Sequence, residues 1–490
     1  MIFKESQKGK EANFTKKWKR WLAVFLAAVL ALTAAGCGGN GQGPAETTET
    51  VPATTENAWP GYSGTSKGYT YYYADGRDRE WEEDLLYLAD LYLDTHPTLV
   101  DEACRVQFLD GSVEYREGIY DPTVREAFLE AVNRLIPRLK DLSRSEIVME
   151  LQALLALLGD AHAYFTLEPM TFFPLMLEEL SNGEELALYL VGTTEEYAHL
   201  RYGKLLAVNG VPLEDVVEKL RDYASWENEY CLWRNCTSWF SQGLMLLPEA
   251  LQTIGILEKG ERQARFTFLL EDGTQQEAEI QAIDYSIGTW LDIAEQSPLY
   301  NQALMYRYGD HFWYTILKKD TLYIRINEFQ YEYDYTYLNF GNELLAECKA
   351  DPALQTLVVD LRNNPGGYQG TGFDQLFSVI QRLDMERVYV LVDSGSYSNA
   401  IITASAIRQQ VENAQLVGAP AGQPPNFFAS VESYEMPNSG YGFALDYAWW
   451  ETWPGYEYDA LMPDIEIYQT LEDYKAGVDT VLEAVLVMED

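Results

Sequence analysis

The chain has 490 residues, 47% of them hydrophobic, which is enough to build about two or three domains with cores of their own. Its formal net charge is −41, and because residues 1–36 hold seven basic and two acidic side chains, the remainder carries −46. A surface this negative repels nucleic acid and anionic lipid, so DNA binding, RNA binding and peripheral membrane binding are not expected.

Residues 1–36 have the pattern of a signal peptide. A positive segment at 16–20 precedes an apolar segment at 21–32, and small residues follow. The run Thr33-Ala-Ala-Gly-Cys37 resembles the lipobox of bacterial lipoproteins. This resemblance implies a lipid on Cys37 and an extracytoplasmic protein that is held at the cell membrane only by that lipid. An uncleaved transmembrane anchor is the alternative, although the apolar run is short for one.

Composition and pattern divide the rest of the chain into four regions. Residues 37–68 are rich in Gly, Thr, Pro, Glu and Ala and hold almost no large apolar side chains, which predicts a flexible tether. The three regions that follow are predicted to be mainly helical, mixed β/α, and a succession of strands and helices. Their boundaries are placed at residues 69–175, 176–285 and 286–490.

The helical region contains three predicted helices, over 78–95, over 122–140 and from Ser143 to about 158. Ser143 and Glu146 have the spacing of a capping box, and Gly159 is expected to end the third helix. In the mixed region, residues 203–220 read as a strand, a tight Asn209-Gly210 turn and a helix. A second hairpin is predicted around residues 266–273.

In the last region, two short apolar runs are each followed at once by turn residues. Residues 356–360 and 388–393 are rich in Val and Leu, which favours parallel strands buried on both faces. A turn directly after each strand is typical of βα units. A strand is also predicted at 322–326, a helix at 337–349 and a further strand from 415. The region is therefore predicted to be α/β.

Ser398 lies where the second of these strands gives way to a helical pattern. There it would sit beside the free amides and the positive end of the new helix, with the Asn399 amide able to stabilise an oxyanion. Gly366 and Gly367, after the first strand, supply a second candidate set of exposed amides. From spacing alone, the commoner explanation is two ordinary turns, with Ser398 as a helix N-cap.

The two turns carry a family resemblance. Asp360-Leu-Arg-Asn-Asn-Pro-Gly-Gly367 resembles the signature of the C-terminal-processing (tail-specific) serine proteases and their tricorn-core relatives. The segment Gly395-Ser-Tyr-Ser-Asn-Ala400 lies where that family has its nucleophile, which implies that Ser398 is the nucleophile. The amides of Gly366 or Gly367 and of Asn399 are then the implied oxyanion hole.

The resemblance extends from about residue 80 to the C-terminus and implies a fold as well as an activity. It implies a ClpP/crotonase-like catalytic domain at 286–490 and a PDZ-like β/α module at 176–285, after the helical region. A PDZ-type module binds an extended peptide by adding it to a sheet edge. The implied partner is a peptide or protein substrate, and the implied reaction is serine-type peptide hydrolysis without a cofactor or metal.

The candidate general base is His162, in Gly159-Asp-Ala-His-Ala-Tyr-Phe165 just after the third predicted helix. Taken alone, a histidine here is more often a polar turn residue than a catalytic group. The stretch resembles the Gly-Asp-Gly-His-Thr element of tricorn-like members, whose His is the base. That resemblance implies that His162 is the base, with Ala163 in place of the family's Thr.

A lysine is not available for this role. The tail-specific branch uses a lysine 25 residues after the serine, but here that position is Gln423, and no lysine occurs between Lys349 and Lys475. Ser398 and His162 are therefore the expected pair. Tricorn-like enzymes add a late glutamate, and the corresponding segment offers three acidic residues between which the sequence does not decide: Glu451, Glu457 and Asp459.

Four cysteines follow Cys37, and no pair of them has metal-ligand spacing with a nearby histidine. Cys231 and Cys236 could pair, although four cysteines are few for a disulfide scaffold of this size. We therefore expect Cys104 and Cys348, like these two, to be buried or structural.

Two functions from different classes remain open. The first is an active extracytoplasmic serine peptidase. The second is a lipoprotein that binds peptide without hydrolysing it, because Ala163, Ala400 and Ala419 replace polar family residues. A crotonase-like acyl-CoA enzyme is disfavoured by the secretion signal.

Overall fold

The computed structural model describes residues 65–66, 69–70, 79–165, 171–308, 310–318, 320–330, 335–368, 370, 372–383 and 385–488. The predicted signal peptide, Cys37 and nearly all of the predicted tether lie outside the described residues. None of the helices in these ranges is long and apolar enough to cross a membrane.

The α-helices of the described ranges follow the predicted pattern closely. The first to fourth, the ninth and the eleventh were expected from the sequence, the tenth was not, and the capping box of Ser143 and Glu146 is present at the third. The helices are α1 Arg79–Thr95, α2 Pro122–Leu135, α3 Arg144–Ala156, α4 Leu213–Leu220, α5 Glu229–Thr237, α6 Pro248–Thr253, α7 Ile287–Ala294, α8 Pro298–Gln302, α9 Tyr337–Ala350, α10 Phe373–Arg382, α11 Asn399–Gln410, α12 Leu471–Ala476 and α13 Thr480–Val487. Short 3₁₀ turns cover Ile136–Asp141, Glu195–Leu200, Arg221–Tyr223, Leu244–Leu246 and Leu304–Tyr306.

The strands of the same ranges are β1 Thr65–Ser66, β2 Tyr69–Thr70, β3 Cys104–Phe108, β4 Val113–Arg116, β5 Thr171–Phe172, β6 Leu175–Ser181, β7 Leu186–Thr193, β8 Lys204–Val208, β9 Val211–Pro212, β10 Gln263–Leu269, β11 Gln275–Gln281, β12 Ile283–Asp284, β13 Phe312–Leu317, β14 Thr321–Ile326, β15 Thr356–Asp360, β16 Arg387–Val392, β17 Ala414–Gly418, β18 Asn426–Glu435, β19 Gly442–Glu451 and β20 Ile465–Glu466. The pairs β1–β2 and β5–β12 stand apart from three larger sheets.

A six-stranded sheet of order β13-β14-β15-β16-β17-β20 forms the centre of the C-terminal region. Strand β13 runs antiparallel to β14, and the other neighbours are parallel. Every residue of β15 is buried, as the apolar run predicted, with apolar clusters on both faces of the sheet. Because β15 and β16 are parallel neighbours in register, the turns after them meet at one edge of the sheet.

An antiparallel sheet of order β11-β10-β8-β7-β6 lies within residues 175–281, with β9 paired to β8. The predicted Asn209-Gly210 turn joins β8 to β9, and both residues have the positive φ that such turns require, 49° and 77°. The predicted division into regions and the assignment of this one as PDZ-like stay predictions. The mixed α/β character itself is confirmed.

The third sheet, of order β18-β19-β3-β4, joins two distant parts of the chain. The hairpin β18–β19 comes from the C-terminal region, yet β19 pairs in parallel with β3, and Phe443 bridges Phe165 after helix α3. Apolar residues of α1, α2 and α3 share one cluster with Phe443 and Leu445. The N-terminal helices therefore rest on a strand from the other end of the chain, which the sequence did not reveal.

A buried ionic network supports the end of β15. Arg362 donates to both carboxylate oxygens of Asp479 at 2.8 and 2.7 Å and to those of Asp360 at 3.0 and 2.6 Å. Arg325 adds a bond to Asp360 at 3.1 Å. Burial acts to raise the pKa of Asp360, but the two guanidinium groups outweigh it and hold that pKa below its usual value.

Replacing Arg362 by Met should lower the free energy of unfolding by about 3–5 kcal/mol, because the buried Asp479 loses this counter-charge and Asp360 keeps only Arg325. Urea unfolding measures the change. Arg134→Met is the control: Arg134 pairs with Glu130 where both side chains are more than 60% exposed, so it should cost less than about 1 kcal/mol. Equal losses in the two variants would contradict a structural role for the network.

Candidate active site

Ser398 occupies a strained turn between β16 and α11. Its φ is 55° and its ψ is −120°, a region that residues other than glycine rarely enter, and its side chain makes no capping hydrogen bond to the helix. An N-cap serine has extended backbone and accepts a bond from the helix, so the N-cap explanation does not hold. The side chain is instead held at the tip of a sharp strand-to-helix turn.

Short backbone contacts hold this turn against the one that follows β15. Asp393 Oδ1 accepts hydrogen bonds from the Asn363 amide at 2.8 Å and the Gly395 amide at 2.9 Å. The Tyr397 amide donates to the Asn364 carbonyl at 2.9 Å. The two turns therefore form one unit at the carboxyl edge of the parallel sheet.

Gly366 is the point of closest approach. A Cβ there would lie 2.5 Å from Ser398 Cβ and 2.8 Å from the Tyr397 carbonyl oxygen, and φ is +91°, so only glycine fits. The Gly366 amide donates to Asn364 Oδ1 at 2.8 Å and is already used. The amides of Gly367 and Asn399, by contrast, donate to no other atom of the described residues.

The expected oxyanion hole is thereby narrowed. Of the amides predicted from the sequence, those of Gly367 and Asn399 are available to a ligand, whereas that of Gly366 is not unless its bond to Asn364 breaks. The Asn399 side chain also donates to the Gly367 carbonyl, which ties the two amides' residues together.

His162 lies in the turn after α3, where Gly159 adopts φ +61° and reverses the chain. Its amide donates to Asp160 Oδ1 at 2.8 Å, and only 5% of the residue is exposed. The imidazole packs on the ring of Tyr397, with centroids 4.8 Å apart, so it lies beside the residue that immediately precedes Ser398. Residues more than two hundred positions apart thus meet in one place.

No hydrogen bond joins the imidazole to Ser398. Neither ring nitrogen of His162 makes a hydrogen bond of normal geometry with any described residue. The nearest carboxylates to Nδ1 are Asp446 Oδ2 at 3.4 Å and Asp160 Oδ1 at 3.9 Å. The arrangement is therefore that of an imidazole with carboxylates on its Nδ1 side and no bond yet formed to a hydroxyl.

Burial dominates the electrostatics of this cluster. Desolvation lowers the pKa of His162, although Asp160 and the carbonyl of Phe428 act in the opposite direction. Desolvation and the neighbouring charge of Asp160 raise the pKa of Asp446 well above its usual value. The pKa of Asp160 is lowered: burial opposes ionisation there, but its contacts with His96 and His162 prevail.

His96 forms a second buried pair behind His162. Its Nε2 lies 3.0 Å from Asp160 Oδ2, and its Nδ1 accepts the Thr98 amide at 3.3 Å. Because Nδ1 accepts a hydrogen bond, the proton of a neutral His96 is on Nε2, and Asp160 is the acceptor. His96 therefore donates a hydrogen bond to the same carboxylate that accepts the His162 amide.

Gln423 and Glu227 connect the two turns of the site. Gln423 is fully buried: its Oε1 accepts the Ser398 amide at 2.6 Å, and its Nε2 donates to Glu227 Oε1 at 2.9 Å. Glu227 Oε1 also accepts the Ala161 amide at 3.2 Å. The position that was considered for a lysine thus carries a neutral bridge from the Ser398 turn to the His162 turn.

The carboxylates predicted to support His162 are corrected by this geometry. Glu451 forms an ion pair with Arg116 at 2.7 Å, and Glu457 and Asp459 are exposed, so none of them is among the carboxylates within 4 Å of the imidazole. Asp446 takes that place. The available signal was a charged residue within the apolar run of β19, where burial demands a partner.

Within the described part of the chain, the same cluster has side chains spaced closely enough to hold a metal ion. One ligand atom each from Asp160, His162 and Asp446 lies within 4.8 Å of the others, and all three residues are buried. The cysteines take no part: Cys104, Cys231, Cys236 and Cys348 are free thiols, so Cys231 and Cys236 are not paired.

No protein-family model matches the chain, and no curated protein sequence matches it. Among solved structures, mature CPAF complexed with lactacystin aligns with a TM-score of 0.55 and 13% identity, covering 84% of this chain and 97% of that one. This chain has the fold of CPAF. A second structure of mature CPAF gives a TM-score of 0.50 at 13% identity, over 81% of this chain and 94% of that chain.

The photosystem II D1 C-terminal processing protease aligns more loosely, with a TM-score of 0.34 and 12% identity over 79% of this chain and 93% of that one. The similarity to CPAF is one of fold. The resemblance is confirmed for the fold.

Gly366→Ala should destabilise the chain more than Gly440→Ala. Both glycines have positive φ, +91° and +73°, so each alanine carries a similar backbone strain of roughly 1–2 kcal/mol. Only at position 366 does the new Cβ meet other atoms, which should add about 1–3 kcal/mol. Urea unfolding of both variants gives the difference, and equal losses would show that the two turns are not in close contact.

Proposed function

We propose that the chain is a serine peptidase that hydrolyses peptide bonds through an acyl-enzyme, with Ser398 as nucleophile and His162 as general base. The observation that carries this proposal is the backbone of Ser398, at φ 55° and ψ −120°, with two free amides beside it. Strain of this kind persists where the surroundings enforce it, and it clusters at functional sites. The CPAF-like fold supports the proposal.

Each residue has a defined task in this mechanism. Ser398 Oγ attacks the carbonyl carbon and its proton passes to His162, which then protonates the leaving amine; water repeats the sequence to release the acid. Asp160 and Asp446 lie on the Nδ1 side of the ring, and Asp160, whose pKa is held low, stabilises the imidazolium. The amides of Gly367 and Asn399 receive the oxyanion. The bond between Ser398 and His162 forms when substrate closes the site, as often happens in peptidases studied without ligand.

The proposed substrate is a peptide or protein. The motif at 360–367, which resembles the signature of tail-specific serine proteases, supports this class of substrate. In this proposal residues 286–490 form a ClpP/crotonase-like catalytic domain. Residues 176–285 form a PDZ-like module, with the strand edges of its antiparallel sheet available to an extended peptide.

The proposed location is outside the cell membrane, with the lipid on Cys37 as anchor. The support is the sequence pattern of residues 16–37. Cys37→Ser, expressed in a bacterium that processes lipoproteins, should appear in the soluble extracytoplasmic fraction instead of the membrane fraction. A variant that still needs detergent for release would contradict lipid attachment at this residue.

Ser398→Ala should lower peptide hydrolysis by at least roughly 10⁴-fold and abolish covalent labelling by a serine-directed phosphonate, because no other hydroxyl replaces the nucleophile. Ser394→Ala, in the same turn, is the matched control and should keep both properties. Turnover that survives in Ser398→Ala would reject the assignment. A wild-type chain that binds peptide but never reacts with the probe would identify the non-catalytic peptide binder.

The pH profile should report the buried base. Because burial lowers the pKa of His162, the neutral imidazole, which accepts the proton, persists to lower pH than it does in an exposed histidine. The acidic limb of kcat/KM should therefore have its midpoint below pH ~6.5. A midpoint above that value, measured in the wild-type chain, would contradict a desolvated His162 as the base.

A further inference from the structure

Two aspartates, Asp160 and Asp446, are buried in the candidate site. Asp160 and Asp446 are fully inaccessible, and their ion-pair partners among the described residues are His96 and His162 alone. No lysine or arginine within the described ranges pairs with either carboxylate. Buried carboxylates are normally paired with cations or coordinated to metal ions.

Unused lone pairs mark the centre of this cluster. Both carboxylate oxygens of Asp446 and both ring nitrogens of His162 are inaccessible and make no hydrogen bond of normal geometry with described residues. Asp446 is 0% exposed and His162 5%. Such atoms cost free energy unless a ligand or proton satisfies them.

The distances between the lone-pair atoms fit one small cation. His162 Nδ1 lies 3.4 Å from Asp446 Oδ2 and 3.9 Å from Asp160 Oδ1, and one atom from each residue lies within 4.8 Å of the others. Tetrahedral zinc, with bonds of about 2.0–2.2 Å to N and O, separates its ligand atoms by roughly 3.3–3.6 Å. The two distances from His162 Nδ1 are close to this range.

Hydrogen bonds fix the carboxylate of Asp160 in the way that outer-shell partners fix the ligands of metal sites. Asp160 accepts a hydrogen bond from His96 and a second from the His162 amide, which fixes its carboxylate. Outer hydrogen bonds of this kind orient ligands and strengthen metal binding. Three protein ligands leave a further position for water, as in zinc sites that are not closed.

We propose that Asp160, His162 and Asp446 bind one divalent transition-metal ion of the zinc class. Imidazole nitrogen favours such an ion over Mg²⁺ or Ca²⁺, which prefer larger sets of oxygen ligands. With a metal on Nδ1, the proton of the neutral imidazole is on Nε2, which then cannot accept the Ser398 proton, so the bound ion inhibits the peptidase. This second clause rests on the proposed function, whereas metal binding does not.

The test is a titration of the full-length chain, stripped with chelator, by ZnCl₂ in isothermal calorimetry. Millimolar Mg²⁺ is present throughout, because the acidic surface would otherwise bind zinc non-specifically. We expect one zinc per chain. Asp446→Asn should weaken binding by at least roughly 100-fold, beyond the effect of losing an outer-shell partner.

Two variants serve as controls. Glu457→Gln removes an exposed carboxylate outside the cluster, and Ser398→Ala removes the proposed nucleophile without touching a ligand; both should bind zinc like the wild-type chain. Co²⁺ binding can be followed by its visible absorption in the wild-type chain, so this measurement does not require a variant that could fold poorly. Wild-type chain should show the visible bands of N/O-coordinated Co²⁺, whereas a thiolate-to-metal charge-transfer band would place the ion on a cysteine.

The outcomes separate the two proposals. Absence of zinc binding in Mg²⁺, a cysteine signature, or unchanged affinity in Asp446→Asn would overturn the metal site. Stoichiometric zinc binding that depends on Asp446 supports it, even if the wild-type chain hydrolyses no peptide, in which case only the proposed function fails. Where hydrolysis is present, zinc should inhibit it and chelator should restore it; hydrolysis unaffected by bound zinc would overturn the inhibitory role and His162 as base.

Discussion

The contact between Gly366 and Ser398 is the constraint on which the rest of the site depends. Two parallel strands bring their carboxyl-end turns to the same edge of the sheet, and the turns can meet only because Gly366 lacks a Cβ. Their contact forces Ser398 into a backbone conformation that it would not adopt alone. A Cβ at position 366 would also lie 2.9 Å from the Asn399 amide nitrogen, so the same contact involves the first residue of the helix. In the proposed mechanism, one packing contact therefore positions the nucleophile and the first oxyanion donor.

The support beneath these turns is ionic and buried. Arg362 links Asp360, at the end of β15, to Asp479 near the C-terminus, so the strand end is held from below by a segment more than a hundred residues away. An arginine suits this position because its planar guanidinium bonds to both carboxylates bidentately. Loss of one charge in such a network leaves the other charges uncompensated and is strongly destabilising. The network therefore helps to fix the position of the strand end that leads into the turns.

Much of this could be predicted from the sequence, because local patterns carry it. The capping box at Ser143, the buried parallel strands, the helix after Ser398 and the Asn209-Gly210 turn all depend on residues close together in the chain. His162 was found in the same way, from its neighbours after the third helix. The fold resemblance followed from one eight-residue motif.

The partner of His162 could not be predicted in this manner. Asp446 reaches the imidazole only because β19 pairs with β3 and because Phe443 bridges Phe165, contacts that join the two ends of the chain. Among 76 acidic residues, the apolar run around Asp446 indicates that it is buried but not which group it contacts. The missed residues are those whose position is set by long-range strand pairing.

The neutral bridge through Gln423 explains how the site can be assembled without a lysine. A lysine at that position would bring its own base to Ser398, but it would also place a cation beside Glu227. With glutamine there, Glu227 accepts hydrogen bonds from the Gln423 side chain and from the Ala161 amide. The imidazole of His162, the residue after Ala161, lies against the Ser398 turn. In the proposed mechanism the base then comes from a different part of the chain, where Asp160 and Asp446 lie beside it. The lone pairs left on His162 and Asp446 suit proton transfer, and for the same reason they suit a metal ion.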